Sequence, residues 1–266
     1  MSERPIRADA GGDVALLEAV LLDIDGTLID SNDAHAQAWS DALREAGYDI
    51  GSEVVQPLVG MGSDKLLPQL TGLDAESEGG KRLIERRKEI FAKEYLPDIR
   101  PFPHVTELLD RLRSDGLKLV VATSASDDEL RGLLEALGDK SLLADATSSS
   151  DAERSKPDPD IIHAAVTKAQ ASPGACVMLG DTPYDVEAAR KGGVSIIALR
   201  CGGWGDDALA GAAEVYDDPK ALLHGYHESL IGRRVASGRT ADVRRAETSR
   251  ARRQGEGEGD DTHANQ

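Results

Sequence analysis

Two aspartates lie one residue apart after a short apolar run near the start of the chain. Asp23 and Asp25 stand in "AVLLDIDGT", and Gly26 beside them lets the backbone turn tightly. Crowded carboxylates repel one another unless a cation lies between them. A few oxygen ligands suit Mg²⁺, which keeps several waters and also binds substrate phosphates. The pair therefore predicts a magnesium site and chemistry on a phosphate group.

Further polar groups follow later apolar runs in the same way: Thr123 and Ser124 in "VVATSAS", Lys156 in "SKPDPD", and Asp181 and Asp185 in "LGDTPYD". Beside a metal, one carboxylate can attack a phosphoryl group while a second protonates the leaving oxygen and then activates water. Lys156 adds a fixed positive charge, and Thr123 and the backbone amides after Asp25 are expected to donate hydrogen bonds to the phosphoryl oxygens. The set predicts phosphoryl transfer without a serine or histidine nucleophile.

Short apolar runs separated by helical patterns must position these groups. Four are continuous in their apolar character, at residues 19–25, 117–123, 175–181 and 194–200, and two are weaker, at 213–216 and 142–147. Such runs are typical of a parallel sheet covered on both faces, in which the carboxyl ends of the strands face a ligand crevice. We therefore predict an α/β fold with a Rossmann-like parallel sheet, and we expect the polar groups to meet at one edge.

The alternation of strands and helices is interrupted between residues 31 and 100, where helical patterns follow one another without a strand candidate. The first begins at "SND" and stops at Gly47, and the last places apolar residues and Arg87 on one stripe. Prolines in "LPDIRPFPH" stiffen the return to the main domain. We expect an inserted all-helical subdomain, the cap, with hinge-like connections at both ends.

The chain thus divides into four parts: an N-terminal extension at 1–18, an α/β core at 19–30 and 101–231, the cap at 31–100, and a tail at 232–266. The tail has scarcely any large apolar residue and splits into an arginine-rich half and a glycine-rich acidic half. A segment of this composition is expected to be disordered.

Composition restricts the partners and the compartment. A formal net charge of −17 argues against unaided binding to nucleic acid or to anionic membranes. The two cysteines are too few for a disulfide framework, and no signal peptide or transmembrane span is visible in the sequence. We expect a cytoplasmic monomer or homodimer that acts on a small phosphorylated metabolite.

The four motifs occur in the order found in one known family. Over residues 19 to 230 the chain resembles the haloacid dehalogenase-like (HAD) hydrolase superfamily, in the C1 branch that carries a helical cap after the first motif. The residues that carry the resemblance are Asp23, Asp25 and Thr27 for DxDx[TV], Thr123 for the second motif, Lys156 for the third, and Asp181 with Asp185 for the acidic fourth. Within the branch the chain is similar to phosphoglycolate phosphatases and β-phosphoglucomutase-like phosphatases.

The resemblance implies a role for each motif residue. Asp23 would be the nucleophile that forms an aspartyl-phosphate, Asp25 the general acid and base, and Lys156 the group that stabilises the phosphoryl group and Asp23. Mg²⁺ would be bound by the Asp23 and Asp181 carboxylates and the backbone carbonyl of Asp25. Asp185 would bind the ion through water or support its ligands.

Five residues are expected to contact the substrate: Gly26, Thr27, Ser124, His35 and Lys65. His35 lies on the first helix of the cap, and β-phosphoglucomutases carry a histidine at this distance from the first motif. We therefore expect His35 to contact substrate or Asp25. The alternative is a histidine that only packs inside the cap. Lys65 follows the loop "LVGMGSD", and in capped relatives such a loop enters the active site. Its alternative is a lysine on a helix surface.

The leading hypothesis is a magnesium-dependent phosphatase that acts on phosphoglycolate or a sugar phosphate, with the cap excluding water. An alternative is a sugar phosphomutase of the β-phosphoglucomutase type, but Gly180 stands where those mutases carry an acidic residue. A different class is a non-catalytic phosphoacceptor domain like that of response regulators. Such domains have no inserted cap, so residues 31–100 argue against this alternative.

Overall fold

The computed structural model describes residues 16–240, and the structural statements below refer to them. The strands are β1 (Ala19–Leu22), β2 (Ile29–Asp30), β3 (Arg100–Pro101), β4 (Lys118–Ala122), β5 (Ala146–Thr147), β6 (Cys176–Gly180), β7 (Ser195–Leu199) and β8 (Glu214–Tyr216). Six of them form one parallel sheet in the order β5-β4-β1-β6-β7-β8. The predicted α/β fold with a parallel, Rossmann-like sheet is confirmed.

The sheet topology explains why the polar groups meet. The chain builds outward from β1 in one direction through β4 and β5, and then returns to place β6 on the other side of β1. Leu22 pairs with Val121 of β4 and Leu179 of β6, so the residues that follow these three strands emerge together. A reversal of strand order of this kind opens a crevice at the carboxyl ends of the strands.

Helices cover both faces of the sheet and form the cap. The cap holds α1 (Asn32–Glu45), α2 (Ser52–Val55), α3 (Ser63–Thr71) and α4 (Glu78–Ile90), and the core holds α5 (Val105–Ser114), α6 (Asp127–Leu137), α7 (Asp160–Ala169), α8 (Pro183–Lys191), α9 (Pro219–His224) and α10 (230–240). No helix within residues 16–240 combines the length and the apolar composition needed to cross a membrane.

Alternation along β1 divides the core into two apolar layers. Val20 and Leu22 face the layer that contains α5 and α6, whereas Ala19 and Leu21 face the layer that contains α7 and α8. All four side chains are fully buried. Burial of a large apolar side chain stabilises the fold by roughly 1.5–3 kcal/mol. This central strand is therefore a rigid base for the loop that follows it.

The cap has a small apolar core of its own. A pair of short strands, which the sequence analysis did not predict, joins its two connections to the α/β core. Trp39, Leu43, Leu67 and Leu83 pack together inside the cap. At its base β2 pairs antiparallel with β3, so the two connections to the core are hydrogen-bonded to each other. The sequence pattern predicted no strand there, because two-residue strands are too short to show alternation.

The start of the tail differs from expectation. The expected disorder from residue 232 is wrong for 232–240, which continue the helix α10. Ile231 is buried in the core and Val235 packs against it, while Arg233 pairs with Glu214 at 2.7 Å. An apolar face and the ion pairs of Arg233 and Arg239 dock this helix, although its composition is mainly polar. The rest of the predicted tail, and most of the N-terminal extension, lie outside the described residues.

Candidate active site

The turn after β1 requires glycine. Gly26 has a positive φ of 74°, a conformation that residues with a Cβ rarely adopt. A Cβ at Gly26 would overlap the side chains of Asn32 and Asp181, and one at Gly202 would overlap Asp181 from another side. The Asp181 carboxylate is therefore held between two backbone segments that have no side chains.

Backbone N–H groups of this turn donate hydrogen bonds to carbonyl oxygens of the same turn. The Gly26 N–H donates to the Ile29 carbonyl at 2.8 Å, and the Thr27 N–H donates to the Ile24 carbonyl at 3.3 Å. These two amides are therefore already engaged within the turn, and the expectation that amides after Asp25 bind phosphoryl oxygens stays a prediction. A turn this tight satisfies its own donors, and residue spacing alone could not show that.

Three carboxylates crowd together at the strand ends. Oxygens of Asp23, Asp181 and Asp185 lie within 4.8 Å of one another, and all three side chains are buried. Burial, opposed by Lys156 and reinforced by Asp185, raises the pKa of Asp23 to about 7. Burial and the charges of Asp185 and Asp23 raise the pKa of Asp181 well above its ordinary value. A divalent cation would relieve this repulsion.

Lys156 lies inside the acidic cluster. Its Nζ is 2.5 Å from Asp23 Oδ1 and 2.7 Å from Asp185 Oδ1, and the side chain is almost fully buried. Burial lowers the pKa of Lys156, but the neighbouring Asp185 and Asp23 carboxylates outweigh that effect and raise the pKa above its ordinary value. The ammonium therefore stays charged at neutral pH, and one positive charge faces three carboxylates.

Polar side chains orient the acids. Thr27 Oγ1 donates to Asp181 Oδ1 at 2.8 Å, and Asn32 Nδ2 donates to Asp181 Oδ2 at 2.9 Å. Thr182 Oγ1 donates to Asp185 Oδ2 at 2.7 Å. Thr27 was expected to contact substrate, but it acts on a carboxylate instead. Sequence reasoning missed Asn32 and Thr182, because each also looks like an ordinary residue at a helix start.

Asp25 points away from the acidic cluster and contacts the cap. Its Oδ1 accepts a hydrogen bond from Ser31 Oγ at 2.5 Å and lies 2.8 Å from His35 Nε2. Burial raises the pKa of Asp25, but His35, Ser31 and Arg87 together lower it further, so the net pKa lies below the ordinary value. His35 thus lies against Asp25, as one of its two expected contacts, and the Asp25 carboxylate is not part of the three-carboxylate group.

A buried arginine extends this contact to a core helix. Arg87 Nη2 lies 2.9 Å from His35 Nδ1, and Arg87 pairs with Glu129 of α6. The guanidinium lies 5.3 Å from the centroid of the Trp39 ring, and His35 stacks on Phe91 with centroids 4.1 Å apart. Sequence reasoning gave Arg87 and Glu129 no role. The available signal was a charged residue on an otherwise apolar helix stripe.

A small cavity of about 60 Å³ lies between the two aspartates of the first motif and the cap. Thr123 and Ser124 line it from the core, and the cap loop at residues 60–63 enters it. The nucleophile candidate Asp23 and the acid candidate Asp25 both line this cavity, so a phosphoryl group bound in it would lie between them.

Lys65 is turned away from this cavity. Its Nζ lies 2.6 Å from Asp158 Oδ2 and 2.5 Å from the Ser155 carbonyl oxygen. The neighbouring Asp64 Oδ1 accepts a hydrogen bond from Ser155 Oγ at 2.5 Å. The expected anion contact is therefore replaced by an ion pair between the cap and the loop that carries Lys156. The sequence could not show it, because Asp158 lies 93 residues further along the chain.

Comparison with known proteins agrees with this geometry. A sequence model described as haloacid dehalogenase-like hydrolase matches residues 20–199. A phosphoglycolate phosphatase from Nitrosospira multiformis is 29% identical over 192 residues, which cover 70% of this chain and 84% of the relative. Protein SUPPRESSOR OF QUENCHING 1 of Arabidopsis thaliana, a chloroplastic protein, is 31% identical over 75% of this chain, which spans only 19% of that longer protein.

A solved structure supports the same assignment. The crystal structure of a hydrolase from Pseudomonas syringae has a TM-score of 0.75 and 30% sequence identity, and the match covers 79% of this chain and 98% of that one. The similarity therefore extends over nearly the whole of the neighbour.

Proposed function

Because the chain belongs to the haloacid dehalogenase-like hydrolase family, we propose that it is a magnesium-dependent phosphatase that cleaves a small phosphomonoester through an aspartyl-phosphate on Asp23. The observation that carries the proposal is Asp23 itself, a buried carboxylate held by Lys156 and facing, with Asp25, a cavity of phosphoryl size. The phosphatase names of its relatives support the reaction class, and phosphoglycolate or sugar phosphates are the proposed substrates.

The donor set fits magnesium. The carboxylates of Asp23, Asp181 and Asp185 would hold the ion, with the backbone carbonyl of Asp25 as a further ligand. Mg²⁺ prefers hard oxygen donors such as these carboxylates. A bound divalent cation would also stabilise the ionised form of Asp23 and Asp181, whose pKa values are raised without it. When bound, the ion neutralises the negative charge that nucleophile and phosphate bring together.

The residues perform two displacements at phosphorus. A carboxylate oxygen of Asp23 attacks the phosphorus, the bond to the ester oxygen breaks, and Asp25 gives its proton to the leaving alcohol. Water then attacks the same phosphorus, Asp25 takes the proton from that water, and the Asp23 carboxylate and inorganic phosphate are released. Lys156 holds Asp23 in place throughout and offsets charge on the phosphoryl oxygens.

Asp25 must carry a proton when the ester bond breaks. In the free protein its pKa is held low by His35, Ser31 and Arg87 against the effect of burial. A phosphoryl dianion bound beside Asp25 raises that pKa, because like charges disfavour the ionised form. Asp25 therefore becomes protonated when the substrate binds and is ionised before that.

The mutase alternative is disfavoured because there is no space for a side chain at Gly180. A Cβ added there would overlap the side chain of Asp185, so an acidic side chain at this position would displace a member of the carboxylate cluster. With glucose 1-phosphate as the test substrate, we expect inorganic phosphate and no glucose 6-phosphate.

Turnover of p-nitrophenyl phosphate tests the proposal directly. We expect steady hydrolysis with Mg²⁺, loss of activity with a chelator, and a loss of about 10³-fold or more in kcat for Asp23→Asn. Asp110→Asn, which makes the same change at an exposed position of α5, should retain wild-type kcat. Unchanged activity in Asp23→Asn would refute the mechanism.

The setting of the reaction is also proposed. We place the enzyme in the cytoplasm as a monomer or homodimer, with a small phosphorylated metabolite as its partner and no role for nucleic acid or membranes. Cell fractionation and light scattering on the purified protein test these two points.

A further inference from the structure

A second and larger cavity adjoins the one between Asp23 and Asp25. It has a volume of about 330 Å³ and shares Ser63, Thr123 and Ser124 with its smaller neighbour. Pockets for small ligands typically measure roughly 300–1,000 Å³, whereas the first cavity measures only about 60 Å³. A phosphoryl group therefore fills the first cavity, and the rest of a substrate must extend into the second.

Hydroxyl groups dominate one side of the second cavity. Five serines line it: Ser63, Ser124, Ser126, Ser149 and Ser155. The Ser124 hydroxyl oxygen is buried and has no hydrogen-bond partner within residues 16–240. A buried hydroxyl without a hydrogen-bond partner is uncommon, because burying it unbonded costs free energy. A ligand that donates or accepts a hydrogen bond at Ser124 would remove this cost.

Carboxylates dominate the charge of the same cavity. Four line it, Asp64, Glu76, Glu129 and Glu153, against the single ammonium of Lys88. Two of the four carboxylates have basic partners, because Arg87 binds the buried Glu129 and Lys81 binds the exposed Glu76. Asp64 and Glu153 form no ion pair within residues 16–240, and the nearby Lys65 is engaged by Asp158. The second cavity is therefore rich in hydrogen-bonding groups and carries a small excess of negative charge, from Asp64 and Glu153 against Lys88.

From this lining we infer the class of leaving group: a polyhydroxylated and uncharged or cationic group, such as a sugar, a polyol or an amino sugar. A leaving group with a carboxylate or a second phosphate would face like charges in the larger cavity. The inference rests on the proposed phosphatase function and narrows it, because it favours sugar phosphates over phosphoglycolate. Glu76 and Glu153 are exposed at the rim, so solvent screens part of their effect.

Three hexose derivatives with the phosphate on the same carbon test the inference. Gluconate 6-phosphate carries an extra carboxylate, glucose 6-phosphate is neutral beyond its phosphate, and glucosamine 6-phosphate carries an ammonium. We expect kcat/KM for glucose 6-phosphate to exceed that for gluconate 6-phosphate by roughly three- to tenfold, since partly screened like charges are worth about this much. Glucosamine 6-phosphate should be hydrolysed at least as well as glucose 6-phosphate.

Charge-neutralising variants test the cause of the preference. Glu153→Gln and Glu76→Gln should each raise the ratio of gluconate to glucose 6-phosphate kcat/KM, and the double variant should raise it most. Glu94→Gln makes the same change at an exposed cap position that does not line the cavity, so its ratio should equal that of the wild type.

Turnover of p-nitrophenyl phosphate separates the two ways to fail. If this ester is not hydrolysed, the proposed phosphatase function itself is refuted. If it is hydrolysed but gluconate 6-phosphate is used as well as glucose 6-phosphate, or none of the three hexose derivatives is used, only the leaving-group inference is overturned. An unchanged ratio in the double variant overturns it as well.

Discussion

The core and cap halves of the active site are fixed by different means. Asp23, Thr123 and Asp181 follow directly after neighbouring buried strands, so the sheet itself sets their spacing. The cap reaches the site through separate side-chain contacts, among them His35 on Asp25, Arg87 on Glu129 and Lys65 on Asp158. The position of the core acids thus depends mainly on the sheet, while the closed form of the cavity depends on these separate contacts of the cap.

The largest effect is expected from breaking the core half at Lys156. Lys156→Met leaves Asp23 and Asp185 buried without their cation, so we expect a loss of about 3–5 kcal/mol in the free energy of unfolding without metal. Phosphatase kcat should fall by about 10³-fold or more. Urea denaturation and steady-state kinetics measure the two losses.

Lys140→Met is the matched control, because Lys140 forms an exposed ion pair with Glu135. Its stability and kcat should stay close to those of the wild type. Equal stability of Lys156→Met and Lys140→Met would show that the acidic cluster does not depend on its internal cation.

The next effect comes from the buried pair that joins the two halves. Arg87→Met leaves Glu129 buried and unpaired, and we expect a destabilisation of about 2–4 kcal/mol together with a lower kcat/KM. The double variant Arg87→Met/Glu129→Gln should recover part of the stability, since no buried charge then lacks a partner. Arg82→Met, on the exposed face of the same helix, is the control. Additive effects in this double-mutant cycle would contradict the pairing.

Magnesium affinity should depend on pH through the core half alone. Asp23 has a pKa of about 7, so at pH 6 the ion must displace a proton that is mostly absent at pH 8. We expect the dissociation constant for Mg²⁺ to rise at least about tenfold from pH 8 to pH 6, since the raised pKa of Asp181 adds to that of Asp23. Calorimetric titration at the two pH values tests this, and equal affinities would argue against Asp23 as a ligand.

The same shift has a defined sign for stability without metal. The folded protein keeps a proton on Asp23 up to pH about 7, whereas the unfolded chain releases it near the ordinary pKa of 3.8. The folded state therefore binds more protons across this window, and the contribution of Asp23 to the free energy of unfolding falls as pH rises from about 4 to about 7. Added Mg²⁺ should raise the thermal midpoint more at pH 8 than at pH 6.

The smallest effect is expected at the edge of the cap. Lys65 and Asp158 are partly exposed, so Lys65→Met should cost only about 0.2–1 kcal/mol in stability. We expect a few-fold change in kcat/KM, because the pair holds the cap against the loop that carries Lys156. Lys140→Met, in an exposed ion pair of the core that lies outside both cavities, is again the control. A loss of activity as large as that of Lys156→Met would place Lys65 in the chemistry instead.

The same division explains what could be predicted from the sequence. Each strong apolar run contains an observed strand, and β1, β4 and β6 end one to three residues before the predicted ends. Buried parallel strands require continuous apolar residues, and their polar ends are visible as interruptions. The family motifs lie at those interruptions, so the acids of the core half were identified from sequence alone.

The contacts of the cap could not be identified in this way. Arg87 and Glu129 lie on helices of different subdomains, 42 residues apart, and they meet only because of the angle at which the cap docks. Local periodicity describes which face of a helix is buried but not what lies opposite that face. The start of α10 was missed for a related reason, because composition was averaged over the whole tail and hid the apolar face formed by Ile231 and Val235.

Helix α10 is the last described element of the chain, and its contacts fix the side of the sheet on which it lies. Arg234 Nη2 lies 2.5 Å from the Gly174 carbonyl oxygen, and Arg239 pairs with Asp115 at 2.6 Å. Gly174 and Asp115 precede β6 and β4, so the helix lies at the amino ends of the strands, opposite the catalytic crevice. A label or surface linkage attached to the exposed face of α10 would therefore leave the catalytic crevice unobstructed.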